Sequence, residues 1–415
     1  MASADCLIVI PARWGSQRLP GKPLHRLADE PMIGWVVKAA LKVRNARGIV
    51  VATDHPEIAA AAREAGAKAV LTGIELRNGT ERLLAVINDH PAQSYINLQS
   101  DEPLIDPSDI EQLINALEQS KADVVSLRHT IKPNQAEETS RVKVVCNKDR
   151  KALYFSRSPI PHGAEEYWQH VGVYGFQAHA LERIRALTPT DLEKQENLEQ
   201  LRWLEEGLGI EMIDSKQSSL GVDTAEEAQQ VDQILRLRQI KVLICDVDGV
   251  LTDGRLWFSS EGEELKAFHA RDGLAIKLLI KQGIEVALVS GRNSKALQSR
   301  IADLGIKHAC LGEADKAKAC AELQQTLNLS SKQMAYVGDD TLDLPGMAVC
   351  GWSFAVADAP LTVKQSARHV LQTQGGYGAI REITEIMLNA RNEQAILEHS
   401  DAFKSTGLHQ EQFIQ

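Results

Sequence analysis

The chain is 415 residues long, which is more than a single hydrophobic core usually organises, so two domains are expected. Its 44% hydrophobic and 25% charged residues are typical of a globular protein and exclude a disordered or fibrous one. The net charge of −10 argues against nucleic acid as a partner, because a phosphate-binding face is usually basic.

The cysteines and the N-terminal residues predict a cellular compartment. The six cysteines show no CxxC spacing, and four of them lie in apolar, strand-like runs, which favours buried free thiols in a reducing environment. The first apolar run, CLIVIPA, is too short for a membrane segment and has no basic residues before it. A cytoplasmic protein without a membrane partner is therefore expected.

In the first half of the chain, short β-branched runs alternate with helix-like stretches. This alternation is typical of βαβ units with a mostly parallel sheet, whose ligands lie at the carboxyl ends of strands. Closely spaced strands between 123 and 176 instead predict an antiparallel excursion. Thr224 is the expected N-cap of the last helix. The helix-like stretches are 31–45, 56–66, 79–89, 191–207 and 224–238.

The alternation begins again at residue 240 and predicts a second doubly wound sheet. Its helix-like stretches lie near 273–282, 294–304, 315–327 and 377–391. The expected class is therefore α/β, with two doubly wound domains. The predicted divisions are an N-terminal domain at 1–238, a C-terminal domain at 239–391 and a polar tail without a clear period at 392–415.

A basic, glycine-containing loop follows the first strand in PARWGSQRLPGKPL. Arg13, Arg18 and Lys22 lie around Gly15 and Gly21. Glycines let backbone N–H groups approach an anion, and the basic side chains can neutralise a triphosphate. A solvated turn with scattered basic residues is the other interpretation.

Two aspartates are candidate Mg²⁺ ligands in this half. Asp101 ends an apolar strand in QSDEP, and Asp223 lies in GVDT. Mg²⁺ keeps several waters and needs only one or two carboxylates, so this pair is sufficient. Taken alone, Asp223 is better explained as a helix cap.

Together these segments resemble the bacterial CMP-Kdo synthetases, the 3-deoxy-manno-octulosonate cytidylyltransferases. The resemblance covers roughly residues 5–238. The blocks that carry it, in order, are IPARWGSQRLPGKPL, PMIGWV, VVATD, NGTERL, LQSDEPLI, ALYFSRSPIP, HVGVYGF, LEQLRWLEEG and GVDT.

The resemblance implies transfer of CMP from CTP to Kdo with release of pyrophosphate. It implies that Arg13 and Lys22 act on the CTP phosphates, with Arg18 nearby, and that Asp101 and Asp223 hold Mg²⁺. A further set would bind the nucleotide or the sugar acid, with Arg157 on the sugar carboxylate. This set is Asn78, Gly79, Arg82, Arg157, His170, Tyr174, Glu199 and Gln200.

The sequence departs from this family at two places. Ser100 replaces the usual glycine of QGDEP, and LRNGTER replaces HxSGT(D/E)R, so that Leu76 and Asn78 stand for a histidine and a serine. Because this region lines the nucleotide or sugar pocket in the family, 8-amino-Kdo and a sialic-acid-like nonulosonate stay open as acceptors.

The second half opens with DVDGVLTDG, in which Asp246 ends a strand and Asp248 follows two residues later. One carboxylate can attack phosphorus while the other protonates the leaving oxygen. Paired aspartates at a strand end are often only turn-formers, and Asp253 is interpreted as one.

Three later segments decide between these interpretations. Ser290 ends a strand in VALVSGR, Lys316 lies in ADKAKA, and Asp339 with Asp340 follows a strand in VGDDTLDLP. In this order they resemble the motifs of haloacid dehalogenase-superfamily phosphatases. Over about 240–390 the chain resembles Kdo-8-phosphate phosphatase, through DVDGVLTDG, GEELKAFHARDG, GIEVALVSGR, YVGDDTLDLPGM, VADA and GGYGAIRE.

This second resemblance implies roles for the acidic residues. Asp246 would be the nucleophile and Asp248 the general acid and then base. Mg²⁺ would be held by Asp246, Asp339 and the backbone carbonyl of Asp248, with Asp340 nearby. The implied substrate contacts are Thr252, Arg271, Ser290, Arg292 and Lys316.

The two resemblances predict a bifunctional homo-oligomer that acts on CTP and Kdo-type sugar acids. They imply a dimer through the N-terminal domain and a tetramer through the capless C-terminal domain, with GGYGAIRE acting on a neighbouring subunit. The alternative is a C-terminal domain that serves only for oligomerisation.

Overall fold

The computed structural model describes residues 5–16, 18–119, 122–215, 220–260, 262–393 and 395–398. The chain forms two compact units, unit 1 (Met1–Asp232) and unit 2 (Gln233–Gln415). The division falls within a helix, whereas the sequence-based boundary at 238 lies near the end of that helix. Most of the predicted tail at 392–415 lies outside the described residues. Among the described helices, none is both long and apolar enough to cross a bilayer.

Unit 1 contains strands β1 to β11 and helices α1 to α9, the last of which continues past its boundary. The strands are β1 (Cys6–Ala12), β2 (Arg26–Leu27), β3 (Glu30–Pro31), β4 (Gly48–Thr53), β5 (Lys68–Leu71), β6 (Ser94–Asn97), β7 (Val124–Ile131), β8 (Lys143–Cys146), β9 (Ala152–Ser156), β10 (Tyr167–Gln177) and β11 (Ile210–Asp214). The helices are α1 (Met32–Ala40), α2 (Pro56–Glu64), α3 (Gly79–Leu84), α4 (Pro107–Gln119), α5 (Pro133–Ala136), α6 (Ala178–Arg185), α7 (Asp191–Glu196), α8 (Gln200–Glu205) and α9 (Ala225–Gln239).

Among the described residues of unit 1, nine strands form one mixed sheet with the main order β11-β7-β10-β6-β1-β4-β5. Strand β1 is parallel to both β4 and β6, whereas β10 is antiparallel to β6 and β7. The hairpin β8-β9 attaches to β10. The predicted antiparallel excursion is therefore partly inside the main sheet, since β10 and β7 are two of its inner strands.

Both faces of this sheet are buried, as strand β1 shows. Ile8 and Ile10 pack into one apolar cluster, whereas Leu7 and Val9 pack into another. Because successive side chains point to opposite faces, the continuous apolar run CLIVIPA is that of a strand covered on both sides.

Two helix predictions of unit 1 have different outcomes. The stretch 191–207 is interrupted, because Asn197 adopts a left-handed conformation (φ 53°, ψ 50°) that ends α7 before α8 begins. Thr224 caps α9 as predicted, since its Oγ1 accepts a hydrogen bond from the Glu227 N–H at 3.2 Å.

Unit 2 contains strands β12 to β19 and helices α10 to α16. The strands are β12 (Val242–Cys245), β13 (Trp257–Ser259), β14 (Gly262–Leu265), β15 (Glu285–Ser290), β16 (His308–Leu311), β17 (Met334–Gly338), β18 (Trp352–Ala355) and β19 (His369–Val370). The helices are α10 (Ala270–Lys281), α11 (Lys295–Leu304), α12 (Lys316–Thr326), α13 (Leu344–Val349), α14 (Leu361–Ser366), α15 (Ala379–Ala390) and α16 (Ala395–Glu398).

A parallel sheet in the order β16-β15-β12-β17-β18-β19 forms the centre of unit 2. Strand β12 lies between β15 and β17 and is fully buried. The carboxyl ends of all three strands therefore meet at one edge of the sheet, where Asp246, Ser290 and Asp339 follow. The structure confirms the predicted α/β class.

The buried strands of unit 1 yield a test of the fold. Leu127, in β7, is fully buried, whereas Leu153, in β9 of the same sheet, is 60% exposed. We expect Leu127→Ala to lower the free energy of unfolding by about 2–5 kcal/mol, because it leaves a cavity. Leu153→Ala should change it by less than about 0.5 kcal/mol. Urea denaturation of both variants measures the difference, and equal losses would contradict the placement of β7.

Candidate active sites

The basic loop that follows β1 is held in place by aromatic packing. Trp14 stacks on His55 with ring centroids 4.0 Å apart, and its backbone N–H donates to Asp54 at 2.9 Å. Gly21 lies beneath the Trp14 ring with φ +64°, a conformation that favours glycine. The loop is therefore shaped by contacts on both sides and is not a simple solvated turn.

A cleft of about 740 Å³ opens at this loop. It contains the three cations of the glycine-containing loop and the two carboxylates that the sequence predicts as metal ligands. The predicted residues that line it are Arg13, Arg18, Lys22, Asn78, Gly79, Arg82, Asp101, Arg157 and Asp223.

Lys22 joins the two candidate metal ligands. Its Nζ lies 2.5 Å from Asp101 Oδ2 and 2.9 Å from Asp223 Oδ1, and Arg18 contacts Asp223 Oδ2 at 2.9 Å. Burial alone would lower the pKa of the Lys22 amine, but the two carboxylates outweigh it and raise that pKa. Asp223 is thus part of a charged cluster, and the cap of α9 is Thr224.

A second, smaller cavity of about 280 Å³ adjoins the cleft. It is lined by His170, Tyr174 and Gln200, three of the residues predicted to hold a sugar acid. Asp101 and Asp223 line both cavities, so the two carboxylates lie where the cleft and the smaller cavity meet.

His170 is a buried but polar wall of the smaller cavity. Its Nε2 lies 3.0 Å from Ser126 Oγ, and burial lowers the pKa of the imidazole to about 3. The ring is therefore neutral at physiological pH and can act on a ligand only by hydrogen bonding.

Three predicted ligand-binding side chains are already bound to protein groups. The Arg82 guanidinium, almost fully buried, donates to Asp54 Oδ2 at 3.2 Å and to backbone carbonyls of the preceding loop. Asn78 Oδ1 caps α3 by accepting from the Glu81 N–H at 2.8 Å. Arg157 donates to three backbone carbonyls and lines the larger cleft, not the smaller cavity.

Glu199, which is predicted to bind the nucleotide or the sugar acid, is not among the described residues that line either cavity. Its Oε2 accepts from Thr80 at 3.0 Å and its Oε1 lies 3.0 Å from Arg202 Nη2. Burial raises the pKa of the Glu199 carboxyl to about 7, with Arg202 and Thr80 opposing the rise.

In unit 2, Lys316 binds the first aspartate of DVDG. Lys316 Nζ donates to Asp246 Oδ1 and, at 2.8 Å, to the carbonyl of Val289 at the end of β15. Both side chains are buried. The cation predicted to balance a phosphoryl group is thus already in contact with the predicted nucleophile.

Three carboxylates of unit 2 can hold a metal ion together. Asp246, Asp339 and Asp343 each offer an oxygen, and these oxygens lie within 4.8 Å of one another. Burial first, and then mutual repulsion, raises the pKa of both Asp246 and Asp339. A hard cation such as Mg²⁺ fits this oxygen donor set and would offset the repulsion.

Asp343 is a site residue that sequence reasoning missed. It accepts hydrogen bonds from Tyr336 at 2.7 Å and from the Asp339 N–H at 3.0 Å. The Asp340 carboxylate, in contrast, caps the next turn at Thr341. The repeated aspartates of VGDDTLDLP carry the signal, but spacing alone does not say which of them turns inward.

Asp248 is directed towards two cations. Its Oδ1 accepts from Lys266, whose side chain is fully buried, and its Oδ2 lies 3.9 Å from Arg292 Nε. Lys266 lies within the quoted block GEELKAFHARDG but was not among the predicted site residues. It follows β14 directly, so the hairpin β13-β14 places it.

The loop after Asp246 is shaped by Thr252 and Gly249. Thr252 is buried, and its Oγ1 accepts from the N–H groups of Gly249 and Gly254 at 3.4 and 3.3 Å. Asp253 accepts from the Arg255 N–H at 3.1 Å, as a turn residue does. A Cβ at Gly249 would stand 2.0 Å from Asp339 Oδ2, so a glycine is required where the loop passes the carboxylate cluster.

Ser290 and Arg271 complete the predicted contacts of unit 2. Ser290 Oγ accepts from the Arg292 N–H at 3.1 Å, beside the β15 carbonyl that Lys316 binds. Arg271 instead lines another cavity, of about 510 Å³, together with Tyr377 of GGYGAIRE. The predicted substrate contact of Arg271 stays a prediction.

The raised pKa of Glu199 predicts a pH-dependent stability. Between 4.5 and about 7 the folded protein keeps a proton that the unfolded chain releases, so stability falls as the pH rises through this window. The loss is about 3 kcal/mol. We expect Glu199→Gln to gain about 2–3 kcal/mol relative to the wild type between pH 5 and pH 8, measured by urea denaturation.

Glu205→Gln is the control for this prediction. Glu205 is exposed on the same helix, α8, so its replacement should change stability by less than about 0.5 kcal/mol at either pH. Stability curves of wild type and Glu199→Gln that stay parallel across pH would refute the assigned ionisation.

Comparisons with known proteins match each unit separately. A family model described as cytidylyltransferase matches residues 7–215, about half of the chain, and one described as haloacid dehalogenase-like hydrolase matches residues 310–383. The 3-deoxy-manno-octulosonate cytidylyltransferase of Acidobacterium capsulatum is 38% identical over 244 residues, which are 58% of this chain and 100% of that protein.

The second unit has a relative of its own. The 3-deoxy-D-manno-octulosonate 8-phosphate phosphatase of Haemophilus influenzae is 49% identical over 168 residues, 40% of this chain and 93% of that protein. A solved structure of CMP:2-keto-3-deoxy-manno-octonic acid synthetase complexed with CTP is 40% identical, with a TM-score of 0.54, and covers 55% of this chain and 98% of that one. The chain therefore belongs to the cytidylyltransferase family, and it is an enzyme that joins a member of that family to a haloacid dehalogenase-like hydrolase in one polypeptide.

Proposed function

We propose that unit 2 hydrolyses Kdo-8-phosphate to Kdo and phosphate, and that unit 1 transfers CMP from CTP to this Kdo for lipopolysaccharide biosynthesis. The observation that carries the proposal is that both relatives are named for reactions of the same sugar acid, 3-deoxy-manno-octulosonate (Kdo). Each relative is matched over 93% or more of its length. The product of the phosphatase reaction is the acceptor of the cytidylyl transfer.

In unit 1, CTP is assigned to the larger cleft and the sugar acid to the smaller cavity. The anomeric hydroxyl of the sugar attacks the α-phosphorus and releases its proton to water, and the bond from that phosphorus to the bridging oxygen of pyrophosphate breaks. Arg13, Arg18 and Lys22 supply positive charge on the phosphate side. His170, Tyr174 and Gln200 hold the sugar by hydrogen bonds.

Mg²⁺ is the proposed cofactor of unit 1, with Asp101 and Asp223 as its ligands. The two carboxylates already surround one cation, the Lys22 ammonium, and they face both cavities. When bound there, Mg²⁺ would neutralise phosphate charge beside the attacking hydroxyl. Lys22, which lines the same cleft as Arg13, would contact the CTP phosphates.

In unit 2, the Asp246 carboxylate attacks the phosphorus of the substrate. The bond to the sugar oxygen breaks, and Asp248 gives its proton to that oxygen. A water molecule then attacks the aspartyl-phosphate, Asp248 takes a proton from it, and phosphate leaves. Ser290, at the end of β15, and Lys316, at the start of α12, hold the phosphoryl oxygens. Thr252 fixes the loop that follows Asp246 and Asp248.

Mg²⁺ is also the proposed cofactor of unit 2. Asp246, Asp339 and Asp343 would hold it, together with the backbone carbonyl of Asp248. When bound, it would offset the negative charge of the carboxylates and the phosphate. Asp343 extends the predicted ligand set, and Asp340 acts as a cap beside it.

A cytoplasmic homo-oligomer completes the proposal. All six cysteines are free thiols, which suits a reducing compartment. The hairpin β13-β14 exposes Trp257, Phe258 and Leu265 by 58–64%, an apolar surface that favours assembly through unit 2. The dimer through unit 1 and the action of GGYGAIRE on a neighbouring subunit stay predictions.

Separate inactivation of the two units tests the proposal. We expect Asp246→Asn to abolish phosphate release from Kdo-8-phosphate, by at least about 1000-fold, because the nucleophile is lost. Pyrophosphate release from CTP and Kdo should be retained. Asp101→Asn should show the opposite pattern, with a loss of at least about 100-fold in pyrophosphate release.

The acceptor panel for this experiment is Kdo, 8-amino-Kdo and sialic acid. Turnover of sialic acid alone would show that the acceptor is wrong. Phosphate release at the same background rate in wild type and Asp246→Asn would rule out the phosphatase activity and leave unit 2 as an oligomerisation module.

Gly249 tests the geometry of the phosphatase site. We expect Gly249→Ala to lower phosphate release at least about tenfold, because its Cβ would displace Asp339, 2.0 Å away. The matched control is Gly254→Ala in the same loop, which has a similar φ of +77° but no atom closer than 3.7 Å. Similar activity losses in the two variants would point to backbone strain alone.

A further inference from the structure

The smaller cavity of unit 1 has an unusual distribution of charge for a site that takes a sugar acid. Its lining includes the carboxylates of Asp101, Glu102, Glu138, Asp223 and Glu227. Among the described residues that line it, Arg141 alone carries a permanent positive charge. The other basic side chain, His170, is neutral because burial lowers its imidazole pKa to about 3.

Two contacts orient the Arg141 guanidinium. Its Nε lies 2.6 Å from Glu138 Oε2, and its Nη1 donates to Gln169 Oε1 at 3.0 Å. These contacts use two of the five N–H groups of an arginine, and the side chain is only 19% exposed. The guanidinium is thus held as part of the cavity wall instead of extending into solvent.

A buried lysine fixes the backbone from which Arg141 projects. Lys143 is fully buried, and its Nζ donates to the carbonyls of Arg141 and Arg157 and, at 3.1 Å, to that of Glu138. Burial lowers the pKa of the Lys143 amine. One ammonium therefore ties the segment 138–141 to the end of β9.

The arginine predicted to bind the sugar carboxylate lies elsewhere. Arg157 lines the larger cleft beside Arg13 and Lys22. Its guanidinium donates to the backbone carbonyls of Glu196 at 2.9 Å and Thr139 at 3.1 Å. Arg157 therefore shares a cleft with the cations assigned to the CTP phosphates.

We infer that Arg141 is a specificity-determining residue that pairs with the carboxylate of the sugar-acid acceptor. The inference rests on the proposed cytidylyl transfer, and it assigns Arg157 to the larger cleft that is proposed to bind CTP. Lys22 and Arg18 are already paired with Asp101 and Asp223, so Arg141 is the cation of the described lining whose remaining N–H groups can meet the carboxylate of an acceptor. A guanidinium binds a carboxylate in two-point geometry.

The test compares two acceptors in two proteins. Kdo carries the carboxylate, and its C1 amide keeps the anomeric hydroxyl but has no charge. We expect Arg141→Met to lower kcat/KM for Kdo about 30–100-fold, mainly through KM, and to leave kcat/KM for the amide and KM for CTP within about twofold. The preference of the wild type for the acid over the amide should then disappear.

Three variants serve as controls. Arg141→Lys should restore part of the preference for the acid, because a point charge replaces the planar fork. Arg157→Met should weaken CTP binding and keep the preference. Arg44→Met removes an exposed arginine that forms a comparable pair with Glu111 outside both cavities. It should change neither CTP binding nor the preference for the acid over the amide.

Equal losses with Kdo and its amide would overturn the inference, since they are the result of a purely structural role. Disappearance of the preference in Arg157→Met instead of Arg141→Met would overturn it as well. A wild-type enzyme that releases no pyrophosphate with Kdo would overturn the proposed function, and the inference with it. This result can be distinguished from the other two because the wild-type enzyme itself is then inactive with Kdo.

Discussion

In each unit, one lysine ammonium lies between two aspartate carboxylates. Lys22 contacts Asp101 and Asp223 in unit 1, and Lys316 contacts Asp246 and, at 3.7 Å, Asp343 in unit 2. Carboxylates at such separations repel each other, and in a partly buried place the repulsion is weakly screened. The two lysine ammonium groups offset this repulsion in the folded chain. Much of the remaining architecture serves to bring these charges together from distant parts of the chain.

Strand order brings the charges together. Asp246 follows β12, Val289 and Ser290 end β15, and Asp339 follows β17, which are three neighbouring parallel strands. Close approach then requires glycine. A Cβ at Gly338 would lie 2.4 Å from Asp343, and one at Gly375 would lie 1.7 Å from the Gly249 carbonyl. The second contact also shows that the first residues of GGYGAIRE pack against the Gly249 loop of the same chain.

The sequence predicted the residues that lie directly at strand ends, because their position follows from the sheet alone. It predicted both sheets, the cap at Thr224 and the convergence of Asp246 with Lys316. It did not predict Asp343, Lys266 or Arg141. Each of these three residues lies in or next to a turn or a hairpin. There the local backbone conformation decides where a side chain points, and the sequence has no apolar periodicity from which that direction could be predicted.

The break of helix 191–207 has the same physical origin. Apolar periodicity continues through Asn197, but one residue in the left-handed conformation redirects the chain. The redirection places Glu199 and Gln200 at the start of α8, beside the cavity that holds His170. A continuous helix would fit the apolar pattern equally well. The position of the break depends instead on the left-handed backbone conformation of Asn197.

The charge of the acceptor cavity also bears on the order of the two proposed reactions. A phosphomonoester carries about −1.5 to −2 charges at pH 7, in addition to the carboxylate of the sugar acid. In the acceptor cavity, Asp101 and Asp223 are paired with Lys22 and Arg18, and Arg141 is the one guanidinium of the described lining, so a single carboxylate can be paired there but a phosphate has no second cation. In the proposed phosphatase site of unit 2, Lys316, Lys266 and Arg292 lie around Asp246 and Asp248, and these three cations suit a phosphorylated ligand. Under the proposed function, this difference favours dephosphorylation before cytidylyl transfer.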